Sequence, residues 1–189
     1  MSLSRLRSGL GAVALACALV AAPGVGLATA AEATAATTTA PAAQAQAASP
    51  SLAATKLSHS QATSRFNSSG ITWSSSGGCS DRNNSTCTSF SQLNLATAQG
   101  AQTLKSASGC AVHITGGTET GHAGGTYSHW NGYKLDFRTA GCLNGYITGS
   151  FTYIGERGDG AAMYEAASGN IYALEGNHWD VTYYNCGGC

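Results

Sequence analysis

The spacing of apolar residues changes several times along this chain, and each change marks an element. Over residues 88–106, Phe90, Leu93, Thr97, Ala101 and Leu104 recur at three- and four-residue steps, which predicts a helix with one buried face. Thr88 or Ser89 can cap its start and Gly109 can end it. Residues 110–115 then alternate as a short strand, broken by Gly116-Gly117. A second strand spans 133–138, with Leu135 and Phe137 on one side and Lys134, Asp136 and Arg138 on the other. Residues 142–154 fit either a helix or a loop. The last third reads as a meander of strands at 161–166, 171–175 and 178–184, with turns at Ser168-Gly169-Asn170 and Gly176-Asn177. The pattern predicts an α+β domain in which a helix packs on a small antiparallel sheet.

The amino-terminal third has a different character. Residues 1–30 carry Arg5 and Arg7, an apolar run from Leu10 to Val20, and the small residues Ala28-Thr29-Ala30, the layout of a cleaved secretory signal. The run is too short for a spanning helix, which needs about 20 apolar residues, so no membrane attachment is expected once it is removed. Residues 31–65 are dominated by Ala, Thr, Gln, Ser and Pro and read as a low-complexity linker or pro-segment. Residues 66–189 remain as one domain, read as a monomer with a single modest core.

Positive and negative side chains balance in number, and no basic stripe exists, which argues against nucleic acid as a partner. Cys17 lies in the signal, leaving Cys79, Cys87, Cys110, Cys142, Cys186 and Cys189. An even number in a small exported domain reads as a disulfide framework. The expected pairs are Cys79–Cys87, Cys110–Cys142 and Cys186–Cys189; the alternative for the last is a redox-active or metal-binding end.

Two stretches concentrate the chemistry, Ser128 to Asp136 and Glu175 to Asp180. His129 and Asp136 would stand more than roughly 20 Å apart on an extended chain. Asn131-Gly132 between them is a tight-turn pair that can fold His129 back beside the strand bearing Asp136. Glu175 and His178 would face opposite ways on a continuous strand, but Gly176-Asn177 breaks it, so both can reach one site. Two histidines and a carboxylate suit one zinc ion and leave its fourth position for water. Glu175, beside such a metal without binding it, is the candidate general base. His122 could stabilise a tetrahedral oxyanion or be an exposed loop residue. His113 and His59 are read as a structural strand residue and an incidental one. Trp130, Trp179 and Tyr127 are candidates for groove walls, although large aromatics often belong to the core.

The spacing His-x6-Asp followed by Glu-x-x-His, with Gly132 three residues after the first histidine, resembles the zinc D-alanyl-D-alanine peptidases. That group includes carboxypeptidases, vancomycin-resistance dipeptidases and the hedgehog amino-terminal domain. The likeness runs over roughly residues 88–184, more loosely through 112–117. It implies a small antiparallel sheet flanked by helices, with His129, Asp136 and His178 as zinc ligands and Glu175 as the base. Three positions depart from the family: Lys134 stands where a small residue is usual, Tyr127 where serine is common, and Gly117-Thr118-Glu119 where carboxypeptidases carry a carboxylate-binding arginine. Arg82 could supply that cation from another loop. The resemblance implies a secreted zinc metallopeptidase acting on peptidoglycan peptides, as a carboxypeptidase or, given the missing arginine, an endopeptidase. The alternatives are a non-catalytic zinc-stabilised binding domain and a metal-free disulfide-rich protein.

Overall fold

The computed structural model describes residues 55–184. Its elements run β1 (Lys56–Leu57), α1 (His59–Ser68), β2 (Thr72–Trp73), β3 (Leu93–Asn94), α2 (Leu95–Ser108), β4 (His113–Gly116), β5 (Lys134–Arg138), α3 (Gly141–Ser150), β6 (Thr152–Glu156), β7 (Ala162–Glu165), β8 (Ile171–Glu175) and β9 (His178–Thr182). The fold is α+β. A seven-stranded sheet has the order β2-β4-β5-β9-β8-β7-β6, and β1 pairs with β3 in a separate ribbon. All neighbours in the large sheet are antiparallel except β2 and β4, which run parallel.

Strand alternation divides the central strands into two faces. Ile114, Leu135, Phe137, Trp179 and Val181 point to the core and are fully buried, as are Phe66, Phe90, Leu93, Ala98, Ala101, Leu143 and Ile147 in the same cluster. Trp179, a candidate groove wall, is therefore core, and its indole N–H donates to Asn144 Oδ1 at 2.8 Å. The opposite face carries Lys134, Asp136, His178 and Asp180.

The helix expected over 88–106 begins only at Leu95. Residues 88–94 make non-local bonds instead: Thr88 Oγ1 donates to the Thr115 carbonyl, the Phe90 N–H to His59 Nδ1, and the Asn94 N–H to the Gly132 carbonyl. Gln92 adopts a left-handed φ of 67°, which a helix does not accommodate. Phe90 and Leu93 still reach the core, but from extended chain. The helix ends as its pattern implies, at Gly109 with φ 65°.

The linker expected over 31–65 is corrected at its end, because the domain boundary placed at residue 66 falls inside α1. Ser58 and Gln61 form a capping box, and Ala62 and Phe66 are fully buried. His59 is not incidental: its ring stacks on Phe90 at 5.2 Å and meets Trp73 edge-on. Residues 142–154 resolve into most of α3 followed by the edge strand β6. Disulfides join Cys79 to Cys87 and Cys110 to Cys142. The signal at 1–30, most of the linker, and Cys186–Cys189 lie outside the described residues. Among those described, no helix is long and apolar enough to cross a membrane.

Candidate metal centre

The polar face of the sheet is set by register. Asp136 of β5 pairs with Asp180 of β9, and Glu175 of β8 pairs with His178 of β9, so all four side chains rise on one side. The turn at Gly176, with φ 59°, brings Glu175 Oε2 to 3.6 Å from His178 Nε2. His129 arrives from the loop before β5. Gly132 takes φ 79° there, and a Cβ on it would stand 2.3 Å from the Gln92 carbonyl oxygen, so the turn that returns His129 to the sheet requires glycine.

His129 is buried and its orientation is fixed. Nδ1 lies 2.6 Å from the Gly117 carbonyl oxygen, which can only accept, so Nδ1 carries a proton. Nε2 then points at two carboxylates, 3.2 Å from Asp136 Oδ1 and 3.4 Å from Asp180 Oδ1. Both oxygens are buried without a hydrogen bond of their own. His178 Nε2 approaches Asp136 Oδ1 at 3.8 Å from the more open side. His122 stacks on His129 with ring centroids 3.8 Å apart, its Nδ1 3.8 Å from Asp136 Oδ2. Behind it, Glu119 accepts the N–H groups of Ser89 and Gly117 and lies 3.3 Å from His122 Nε2.

These contacts govern protonation. Burial lowers the pKa of His129, but Asp136 and Asp180 outweigh it and raise the value to about 10. Burial likewise opposes ionisation of Asp180, yet His129 and Lys134 hold its carboxyl well below the usual range. Glu119 is also held below its ordinary value, the bonds from His122, Ser89 and Gly117 outweighing burial.

The cleft over this face encloses about 590 Å³ and is lined by His122, His129 and His178 among other residues. Its walls carry four carboxylates (Asp136, Asp159, Glu175, Asp180) against two permanent cations (Lys134, Arg157) and the protonated ring of His129. Lys134 Nζ is 2.5 Å from Asp180 Oδ2; Arg157 bonds the same oxygen at 3.0 Å and also pairs with Glu175 and Asp159. A separate cleft beside α1, lined by Leu57, Gln61, Ser64, Arg65 and Ser68, gathers no comparable set of titratable groups.

A divalent cation fits the donor set. Nitrogen and oxygen ligands at about 2.0–2.1 Å from a tetrahedral ion stand about 3.3 Å from each other. The separations above straddle that figure, and one ligand atom each from His122, His129 and Asp136 lies within 4.8 Å of the others. The compact triad thus takes in His122, considered from sequence as an oxyanion group, while His178 flanks it across Asp136.

Not every candidate converges. Arg82 does not line the cleft: its Nε–H donates to the Thr118 carbonyl at 3.1 Å, another N–H to the Trp130 carbonyl, and its guanidinium covers the Trp130 ring at 3.6 Å. The substrate clamp expected of it is corrected to a brace between loops. Tyr127 and Trp130 are exposed but outside the cleft lining, Tyr127 packing edge-on against Tyr133 and Tyr184. His113 bonds Thr72 and Ser74 across β2 and β4, a structural position. Asp180, Arg157 and Glu119 entered none of the expected roles. Asp180, two residues beyond His178 on a strand, is the one whose face the sequence pattern already determined.

Comparison with protein-family models, with curated proteins and with solved structures gives no match to this chain.

Proposed function

We propose that the cleft binds one zinc ion and that the protein is a secreted metallopeptidase acting on peptide bonds of bacterial cell-wall peptides. The observation that carries this is the pair of buried oxygens of Asp136 and Asp180 that converge on His129 Nε2 and have no other hydrogen bond, on a ring whose other nitrogen is committed to the Gly117 carbonyl. A histidine oriented through its far nitrogen toward a carboxylate-lined gap is the usual preparation of a metal ligand. His129 and Asp136 would hold the ion, with His122 or His178 completing the set. Bound zinc would supply Lewis acidity and lower the pKa of a coordinated water to about 7.

The remaining chemistry belongs to the chain. Glu175, at the rim beside His178, would accept a proton and return it to the leaving amine. Lys134 and Arg157 neutralise Asp180 and keep its second oxygen from competing for that proton. The choice of cell-wall peptides rests on the resemblance of the His-x6-Asp and Glu-x-x-His spacing, and export on the signal-like residues 1–30. The two disulfides are compatible with an oxidising compartment.

The test is the zinc content of the purified protein beside His129→Ala, followed by mass spectrometry of peptidoglycan fragments with wild type and Glu175→Gln. About one zinc per chain, lost in the first variant, with cleavage lost in the second at unchanged zinc, supports the proposal. Full turnover by Glu175→Gln removes the mechanism. A binding domain without turnover is the second reading, favoured by the ion pair that occupies Glu175 with Arg157; zinc without any cleavage would select it.

A further inference from the structure

We propose that Glu119 is a positioning residue that fixes the tautomer of His122 and so turns its Nδ1 lone pair toward the ion. This rests on the zinc reading for its second half only; the tautomer is a property of the metal-free chain.

Glu119 is nearly fully buried on the loop after β4. Its Oε2 accepts the Ser89 N–H at 2.7 Å, and Gly117 N–H reaches Oε1 at 3.0 Å and Oε2 at 3.1 Å. Two backbone donors therefore converge on the carboxylate, which has nothing to offer His122 but another acceptor. With His122 Nε2 3.3 Å from Oε1, the proton of that ring belongs on Nε2. Nδ1 is left bare, and it is this atom that lies 3.8 Å from Asp136 Oδ2, on a ring stacked against His129. A carboxylate that accepts from the far nitrogen of a histidine sets ring orientation and raises ligand basicity. Gly117 links the two histidines: its N–H binds Glu119 while its carbonyl holds His129 Nδ1–H. One residue's main chain thereby sets His129, and the carboxylate anchored to it sets His122.

Glu119→Gln reverses the polarity at one position. Its single oxygen must serve the two backbone donors, so the amide NH2 faces His122 and donates to Nε2. The ring then carries its proton on Nδ1, pointed at Asp136, where no ion can be bound.

The experiment is nitrogen-15 NMR of the histidine rings in the full, chelator-treated chain, with His122 assigned by loss of its signals in His122→Ala. Zinc affinity of wild type and Glu119→Gln is then measured by competition with a chromophoric chelator. The expected results are an Nε2–H tautomer for His122 in wild type, an Nδ1–H tautomer in Glu119→Gln, and zinc affinity weaker by about 10- to 100-fold in that variant. An Nδ1–H tautomer in wild type overturns the proposal without needing any variant to fold. So does a folded Glu119→Gln chain with wild-type zinc affinity. Wild type that takes up no zinc while His122 is Nε2–H defeats the metal-ligand half and the zinc reading together; the wrong tautomer with zinc bound defeats only the role of Glu119.

Discussion

Substituting Gly116 by alanine probes the centre without replacing any candidate ligand. Gly116 sits in β4 opposite Asp136 of β5, and its φ is not in the left-handed region, so alanine meets no backbone penalty there. The added Cβ would stand 2.2 Å from Asp136 Oδ2, 2.9 Å from its Cγ and 3.1 Å from its Cβ. Ordinary contact begins near 3.4 Å, so the carboxylate must retreat by about an ångström, whereas metal–ligand distances tolerate about 0.2 Å. Displacement of that size should weaken zinc binding by at least the 10- to 100-fold typical of disturbed ligand orientation, about 1.4–2.7 kcal/mol. Gly149→Ala is the matched control, since a Cβ there meets nothing within 4 Å and the residue lies inside α3; it should leave affinity unchanged and add up to about 1 kcal/mol of stability. Competition titration against a chelator reads both. A folded Gly116→Ala chain that binds zinc within twofold of wild type would refute the assignment of Asp136 as a ligand.

Three further outcomes follow from the same geometry. Because His129 titrates near 10 in the metal-free fold against about 6.5 unfolded, its contribution to stability is complete below about pH 6.5 and is lost as pH rises toward 10; melting of the chelated protein from pH 6 to 10 should show that decline. Zinc must displace the same proton, so calorimetry across buffers of different ionisation enthalpy should show about one proton released and affinity rising about tenfold per pH unit below 10. Replacing both Cys110 and Cys142 by serine opens a bridge of sequence separation 32 between the approach to β4 and the start of α3, which should cost about 3–4 kcal/mol in denaturant unfolding with little change in zinc affinity.

Where local pattern and tertiary contact agree, the fold was legible in the residues. Strands β5, β7, β8 and β9 have alternation or turn signals of their own, and the structure places each within a residue or two of its expected span. Where they disagree, contacts decide. Phe90 and Leu93 have helical spacing relative to Thr97, yet the backbone of 88–94 is claimed by His59, Thr115, β1 and Gly132, and the helix yields its first turns to those partners. The helix α1 was readable from the capping residues Ser58 and Gln61 but was obscured by the alanine- and serine-rich sequence before it. Edge strand β6 has an almost wholly exposed pattern, with Tyr153 and Ile154 facing solvent, so no periodicity announces it.

The candidate site divides along the same line, and the division has a physical cause. His129, Asp136, Glu175 and His178 could be grouped in advance because a turn lies inside each pair and converts short sequence separation into proximity. Asp180 follows from strand period alone, as it must share a face with His178. Arg157 and Glu119 had no such signal. Arg157 lies just after β6, and reaches the centre only because β7 and β8 bring the β6–β7 turn alongside β9, a matter of sheet order rather than local sequence. Glu119 looked unfavourable because an acidic residue replaces the arginine of the resembled carboxypeptidases. Burial inverts its meaning: its charge is satisfied by the Ser89 and Gly117 amides and turned toward His122. It does not line the cleft, so it need not repel a substrate carboxylate. Lys134 undergoes a similar inversion. By bulk alone a cation in a strand beside the expected metal loop would crowd the site, yet its ammonium neutralises Asp180 Oδ2 and leaves Oδ1 facing His129. Lys134 and Asp180 are thus coupled to one another. The buried carboxylate of Asp180 depends on that cation, so removing Lys134 should disturb Asp180 before it disturbs His129 or Asp136.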